Sequence, residues 1–273
     1  MLKLKNLLRS FVLFMYAVYY RRSLIFEMAK RDIVTQYVSS FLGFFWVFIN
    51  PMFMVSILWF VFSVGLRVSP QGDVPFVVYL TAGIAIWNTF SEVINLSTDV
   101  VVSNPHLVKR VVFHLSILPL VKLVSSFVTH SIFLIMLMLL ILLHGMPFSV
   151  CWFQALYYFV AMSTLSVGLS WVFSSVNVFA RDTGQIVKII LQFGFWGTPI
   201  FWDISIMPEK VQTIIRLNPM YYIVQGYRDS FIYFVPFWKH PLMTLYFWTV
   251  AIFIFAGGAL VFRRLRPHFA DLL

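Results

Sequence analysis

Long segments without charge constrain this chain more than any other feature. No charged residue occurs between Ile33 and Leu66, and five further apolar segments follow. A helix needs about 20 apolar residues to cross ~30 Å of hydrocarbon. None of the segments alternates apolar and polar residues as the strands of a membrane barrel do. The sequence therefore predicts an all-α integral membrane protein with six transmembrane helices, at about residues 41–66, 75–96, 115–143, 150–178, 186–202 and 242–262.

The composition agrees with a membrane protein and excludes a soluble enzyme or a disordered chain. Hydrophobic residues make up 61% of the chain, and charged residues make up 11%, against ~25% in an ordinary soluble domain. Cys151 is the one cysteine, so neither an intrachain disulfide nor a multi-cysteine metal site can form.

The distribution of basic residues predicts the orientation. The chain has 20 Lys and Arg residues against 10 Asp and Glu residues. In a soluble protein this excess would suggest nucleic acid, but cytoplasmic loops of membrane proteins also collect Lys and Arg. With six spans, 14 of the 20 basic residues fall on the side of the termini, five fall on the other side, and Lys122 lies within a span. Both termini are therefore expected in the cytoplasm, and the charge needs no nucleic acid.

Two regions outside the spans are amphipathic or unconventional. Residues 1–40 are predicted to form interfacial amphipathic helices, with one helix over residues 7–22 and a second over residues 26–41. Residues 41–273 would then form a single transmembrane domain. In the second helix the apolar positions at three- and four-residue steps are Phe26, Ala29, Ile33, Tyr37 and Phe41.

The segment between spans five and six is apolar but interrupted. Pro208-Glu209 predicts the start of a helix that runs to Arg216, because proline is tolerated in a first turn. Asn218-Pro219 predicts a break, and a second helix is expected from Met220 to about Tyr233. Neither helix is long enough to span. We expect re-entrant helices in the outer leaflet, which persist only when buried in protein or lining a cavity.

Catalytic and metal-binding motifs are absent from the sequence. It contains no G-x-x-x-x-G-K-[ST], no H-E-x-x-H and no G-x-S-x-G, so we expect no metal and no ATP site in this chain. Glu92 and Lys122 lie at matching depths in spans two and three, and we predict an intramembrane ion pair between them. The pair either stabilises the bundle or lines a transport pathway.

Aromatic side chains offer a further candidate site. Sugar rings stack on aromatic faces, so five aromatic residues are candidates for a glycan path. The alternative is that they are ordinary lipid-facing or interfacial aromatics. The candidates are Trp46, Trp87, Trp196, Tyr221 and Tyr222.

Four motifs in a fixed order suggest a family. The first leads into span one, the second follows span two, the third ends span four, and the fourth extends through and beyond span five. They are Arg31-Asp32 with Gln36-Tyr37, Leu42-Gly43, Trp46 and Asn50-Pro51; residues 107–113; residues 177–182; and residues 195–200 with Met207-Pro208 and residues 217–221. Together they resemble the type-2 ABC transporter permeases of the polysaccharide-export (Wzm-like) group, which includes O-antigen, teichoic-acid and capsule permeases.

The resemblance implies a half-transporter of the bacterial inner membrane. Two copies would form a homodimeric pore, and two copies of a separate ABC ATPase subunit would bind ATP and Mg²⁺. The substrate would be a lipid-linked polysaccharide, with O-antigen favoured. The positions that match the ATPase-coupling interface are Arg31, Asp32, Gln36, Asn104, His106, Lys109 and Arg110, with Arg181 and Asp182 in the loop after span four; Pro208, Glu209, Asn218 and Pro219 match the gate-like outer helices.

Two other functions stay open at this point. A type-2 ABC permease for drugs or small lipids would share the architecture. A membrane-embedded glycan-modifying transferase would instead need an essential acid or base, and the candidate residues are Glu92, Asp99, His106 and His130.

Overall fold

The computed structural model describes residue 16 and residues 18–38, 43–68, 74–108 and 114–273. In this part of the chain the regular structure is helical, with no strand. The α-helices, in chain order, are α1 Arg22–Val38, α2 Trp46–Trp59, α3 Phe76–Thr98, α4 Pro105–Val108, α5 Leu118–Leu143, α6 Gln154–Phe179, α7 Thr183–Gly197, α8 Glu209–Arg216, α9 Pro219–Phe231, α10 Pro241–Leu265 and α11 Phe269–Leu272. The predicted helix over residues 7–22 lies largely outside the described residues.

Five helical segments are long and apolar enough to cross a membrane. The first combines α2 with a π-helical turn at Phe60–Gly65, and the third and fourth begin with short 3₁₀ turns. They are Trp46–Gly65, Phe76–Thr98, Leu115–Leu143, Val150–Phe179 and Pro241–Leu272. Four of them lie close to the predicted spans, and the last begins near the predicted residue 242 but continues to Leu272, beyond the predicted end at residue 262. An all-helical membrane protein is thereby confirmed.

The predicted fifth span is shorter than expected. α7 has 15 residues, which at 1.5 Å per residue is about 22 Å of helix, less than the ~30 Å of hydrocarbon. The helix ends at Gly197, and the backbone at Thr198 is extended one residue before Pro199, as expected before a proline. The described residues therefore give five spans of full length rather than six.

The helix α3 lies at the centre of the bundle. It packs against α5, α6, α7 and α9, and most of its residues are buried, including the small side chains Thr81, Ala82 and Ala85. By contrast, α2 buries Val47, Pro51 and Val55 alone. α2 is therefore a peripheral helix whose apolar surface faces outward.

The helices α6 and α10 cross with their backbones in close contact. Gly168 of α6 lies against the backbone of Phe255, and Gly258 of α10 lies against the carbonyl of Gly168. On the same helix as Gly168, Ser166, Ser170 and Ser174 are buried. Small residues at this spacing let two backbones approach, so the serines of α6 belong to helix packing.

The amphipathic helix α1 packs against α5 through a face that only partly matches the predicted one. Ala29 of the predicted face is buried, together with Ile25, against Ile117 and Val121, whereas Phe26 of the predicted face is 62% exposed. The buried face is therefore rotated toward Ile25 relative to the predicted face. The face that contacts α5 also includes Asp32.

Candidate functional site

An ion pair joins α1 to α5. Lys122 Nζ donates to Asp32 Oδ1 at 2.5 Å, and Ser125 Oγ donates to Asp32 Oδ2 at 3.2 Å. The Lys122 and Asp32 side chains are 16% and 31% exposed. A charged pair next to the buried contact of Ile25 and Ala29 fixes both the rotation and the position of α1 on the bundle.

The predicted ion pair between Glu92 and Lys122 was wrong. Lys122 binds Asp32, and Glu92 instead accepts a hydrogen bond from Thr129 Oγ1 at 3.4 Å. The physical reason is that α1 lies directly on α5 and brings a second carboxylate to the ammonium. Asp32 therefore faces the membrane bundle, whereas the neighbouring Arg31 is exposed.

We expect the pair to be energetically coupled. In a double-mutant cycle with Asp32→Asn and Lys122→Gln, the coupling energy should lie between about 0.5 and 3 kcal/mol, as for other contacting pairs. Its measurement is the unfolding free energy in mixed detergent and SDS micelles. Glu27→Gln and Lys30→Gln, which alter exposed charges of the same helix, should each change stability by less than about 0.5 kcal/mol. Additive effects of the two pair variants would contradict the contact.

A polar cavity of about 320 Å³ lies between α2, α3 and α5. It contains the carboxylate of Glu92, three amide side chains and two hydroxyls, and Trp46 lies at its edge. We call it the polar cavity; its lining is Trp46, Val47, Asn50, Pro51, Met54, Asn88, Ser91, Glu92, Asn95, Thr129 and Phe133.

A second cavity of about 330 Å³ lies next to the first. Asn95 lines both, and the second extends to Asp99, Lys122 and Lys188 at the end of the bundle where α1 lies. Polar residues recur on one face of α3 at three- and four-residue steps, from Asn88 to Asp99. This face of α3 contributes to the lining of both cavities.

Hydrogen bonds join the end of α3 to the end of α6 beside the second cavity. Asn177 Nδ2 donates to the carbonyl of Thr98 at 3.1 Å and to Asp99 Oδ1 at 2.9 Å. Asn104 Nδ2 donates to the carbonyl of Val100 at 2.9 Å. These bonds fix the turn that carries α4, and Asn177 is a residue whose role the sequence interpretation missed.

The other predicted coupling residues are only partly placed. His106 on α4 is exposed, and so are Arg181 and Asp182 at the start of α7. Gln36 belongs to α1, but its side chain is outside the described part of the structure. Lys109 and Arg110 also lie outside the described residues.

At the other end of the bundle, α9 is buried, and Arg228 is its most deeply buried charge. Arg228 is 1% exposed. Its Nη2 donates to the carbonyl of Ile200 at 2.7 Å, and its guanidinium lies 3.6 Å from the ring centroid of Tyr79. Tyr79 in turn donates to the carbonyl of Trp202 at 3.0 Å. Arg228 and Tyr79 thus hold the non-helical segment that follows α7.

The residue before Arg228 joins α9 to two further helices. Tyr227 Oη lies 3.0 Å from His130 Nε2, and His130 Nδ1 lies 2.9 Å from Thr89 Oγ1. All three side chains are buried. His130 is thus a hydrogen-bonded core histidine that links α3, α5 and α9.

The acidic neighbour of Arg228 is also buried. Gln225 Nε2 donates to Asp229 Oδ1 at 3.0 Å, and His240 Nε2 lies 4.0 Å from Asp229 Oδ2. Burial raises the pKa of the Asp229 carboxyl, and the bond from Gln225 opposes that rise. The end of α9 is thereby attached to the start of α10.

The two short helices were predicted with nearly correct bounds. α8 begins at Glu209 after Pro208, and Asn218 caps α9 by accepting from the N–H of Met220. Their environments differ, however. α8 has no buried residue, whereas almost all of α9 is buried.

The predicted aromatic candidates do not form one surface. Trp46 lines the polar cavity, Trp87 is 5% exposed and packs on Phe195, and Trp196 is 53% exposed. Tyr221 and Tyr222 are buried. Tyr222 Oη also lies 3.0 Å from both Tyr157 Oη and Thr244 Oγ1. Tyr222 is therefore a hydrogen-bonded core residue.

Comparison with known proteins defines the class. The family described as "ABC-2 type transporter" matches residues 23–232, from the start of α1 to the end of α9. The chain belongs to the ABC-2 type transporter family, and its relatives are permease subunits of transporters rather than enzymes.

Individual relatives are similar over most or nearly all of the chain. The O-antigen export system permease protein RfbA of Klebsiella pneumoniae is 26% identical over 259 residues, 94% of this chain and 98% of that protein. The protein of the same name from Myxococcus xanthus is 26% identical, covering 93% and 96%. The polysialic acid transport protein KpsM of Escherichia coli is 23% identical, covering 73% and 78%.

Proposed function

We propose that this chain is the membrane subunit of an ATP-driven exporter that moves a lipid-linked surface polysaccharide, with O-antigen as the favoured substrate, across the bacterial inner membrane. The observation that carries the proposal is full-length similarity to permeases named for O-antigen export. The more distant relative is named for polysialic acid transport, which supports a polysaccharide as the substrate class.

The proposed assembly is a homodimer with two ABC ATPase subunits, which would supply ATP binding and hydrolysis with Mg²⁺. The chain lacks a G-x-x-x-x-G-K-[ST] motif, so a separate subunit has to provide the nucleotide site. Exposed residues at the α1 end of the bundle support this docking: Arg31 on α1, His106 on α4, and Arg181 with Asp182 before α7. Lys109 and Arg110 belong to the same proposed interface.

The proposed topology has both termini in the cytoplasm. The excess of Lys and Arg on that side supports it. In this arrangement α7 and the segment after it form a shortened crossing, which brings the number of membrane crossings from five to six. The helices α8 and α9 then lie at the outer side, where α9 is fixed by Arg228 and Tyr227 and the exposed α8 is the element free to act at the exit.

The test is deletion of the gene and chemical analysis of the glycan. We expect the surface polysaccharide to disappear, while its lipid-linked form accumulates in the inner membrane; the cloned gene should restore export. Affinity purification of the tagged chain from native membranes should recover an ABC ATPase in equal amount. Unchanged surface glycan would refute the polysaccharide substrate, and export without any co-purifying ATPase would refute the proposed partner.

A further inference from the structure

We propose that the polar cavity is a binding site for one sugar ring of the exported glycan, with Glu92 and Asn88 as its principal ligands. The inference rests on the proposed function for the identity of the cargo. It goes further because it assigns a sugar-binding site to named residues within a single chain.

The lining has the functional groups that hydroxyl-rich ligands require. Asn50, Asn88 and Asn95 each offer an amide that both donates and accepts, and Ser91 and Thr129 offer hydroxyls. Glu92 adds a carboxylate, which accepts from several hydroxyl groups at once. Among the described residues that line the cavity there is no Lys or Arg, so this lining suits an uncharged sugar rather than a phosphate, which selects basic side chains.

Glu92 retains unused hydrogen-bonding capacity. The bond from Thr129 to Glu92 is long at 3.4 Å, and a carboxylate has about four acceptor positions. An ionisable residue within a membrane span also indicates a functional site. A ligand with several hydroxyls would use the remaining acceptor positions of Glu92.

The dimensions also fit a small sugar. The cavity of about 320 Å³ lies at the lower end of the ~300–1,000 Å³ typical of ligand sites.

The peripheral helix α2 forms one side of the cavity and can shift relative to the rest of the bundle. Pro51 lies inside α2 and lines the cavity. Proline has no N–H, so the carbonyl of Val47, four residues earlier and also in the lining, lacks its usual helical donor. The same helix continues into the π-helical turn at Phe60–Gly65, a geometry frequent at functional sites. Because α2 buries so few residues, it can move without disrupting the core around α3.

A second cavity adjoins the site toward the α1 end of the bundle. It shares Asn95 with the first and reaches Lys122, which pairs with Asp32 of α1. Lys122 and the cavity residue Thr129 both lie on α5, so a displacement of α1 would reach the sugar site through α5.

The test measures binding of simple sugars by the full-length chain in lipid nanodiscs. The probes are the methyl glycosides of glucose, galactose, mannose, rhamnose and N-acetylglucosamine, and the readout is saturation-transfer NMR with titration. We expect at least one glycoside to bind at millimolar concentration. Glu92→Gln, which preserves shape, and Asn88→Ala should each weaken binding at least tenfold.

The matched control is Ser131→Ala on α5. Ser131 lies two residues beyond Thr129 and donates to its own helix at Phe127, outside the cavity lining, so this variant should bind like the unmodified chain. If no glycoside binds, or if both cavity variants bind as tightly as the control, the sugar site is refuted. Loss of surface glycan in the deletion strain would still support the exporter, so the two failures are distinguishable.

Discussion

Replacement of Gly258 by alanine should prevent the normal packing of α6 on α10, whereas replacement of Gly257 should leave it intact. A Cβ at position 258 would collide with the carbonyl of Gly168, while a Cβ at position 257 would meet nothing within 4 Å. Overpacking a core costs about 1–3 kcal/mol when side chains can move. Here the obstacle is backbone, so we expect a loss of about 3 kcal/mol or more.

Gly257→Ala should change the stability in the opposite direction from Gly258→Ala. Alanine is favoured over glycine in a helix by about 0.8–1 kcal/mol, so Gly257→Ala should be neutral or slightly stabilising. The measurement is the midpoint of thermal aggregation of the purified chain in detergent, followed by size-exclusion chromatography. Gly168→Ala should resemble Gly258→Ala, because its Cβ would lie 2.7 Å from Cα of Phe255. Equal midpoints for the variants at positions 257 and 258 would contradict the crossing.

The positions of the long helices were predictable because one physical quantity sets them. The hydrocarbon thickness fixes how many apolar residues a span needs, and the third predicted span, residues 115–143, coincides with Leu115–Leu143. The break between α8 and α9 was predictable for a local reason, since Asn218 caps a helix that Pro219 begins.

The fifth predicted span shows the limit of hydropathy. Residues 186–202 are apolar throughout most of their length, but hydropathy does not register where a helix ends. Pro199 was visible in the sequence, and it disfavours helical geometry at Thr198. The helix ends at Gly197 for that reason, and the remaining residues form the segment that Arg228 holds.

The candidate site was less predictable because its contacts join distant parts of the chain. The depth of Lys122 within a span identified it as a charge that needs a partner. Depth alone did not distinguish Glu92, on an adjacent span, from Asp32, which lies 90 residues away on α1. The rotation of α1 places Asp32 beside Lys122, and apolar spacing did not fix that rotation, because Phe26 of the predicted face is exposed and Ile25 outside it is buried.

Arg228 should tolerate substitution by methionine better than by lysine, although lysine preserves the charge. The guanidinium stacks on Tyr79 and donates to the carbonyl of Ile200. Its Nε is buried and has no hydrogen-bond partner among the residues that the structure describes. Lysine lacks the planar group that stacks on an aromatic ring, and its ammonium is more strongly hydrated. Arg228→Lys would therefore keep a buried charge and lose most of its compensation.

The two variants should differ in how much unfolding free energy they lose. Both variants lose the stacking of the guanidinium on Tyr79, a contact of about 2 kcal/mol. Arg228→Met fills a similar volume and removes the cost of burying a charge, but it leaves the carbonyl of Ile200 unpaired, at about 1–3 kcal/mol. Arg228→Lys retains a buried and inadequately paired ammonium, which costs about 3–5 kcal/mol, so we expect it to be the less stable of the two variants. Unfolding in SDS and detergent mixtures measures both. Arg216→Lys, at an exposed arginine of α8, should shift stability by less than about 0.5 kcal/mol. If Arg228→Lys proved as stable as the unmodified chain, neither the stacking on Tyr79 nor the bond to Ile200 could hold the segment after α7 in place.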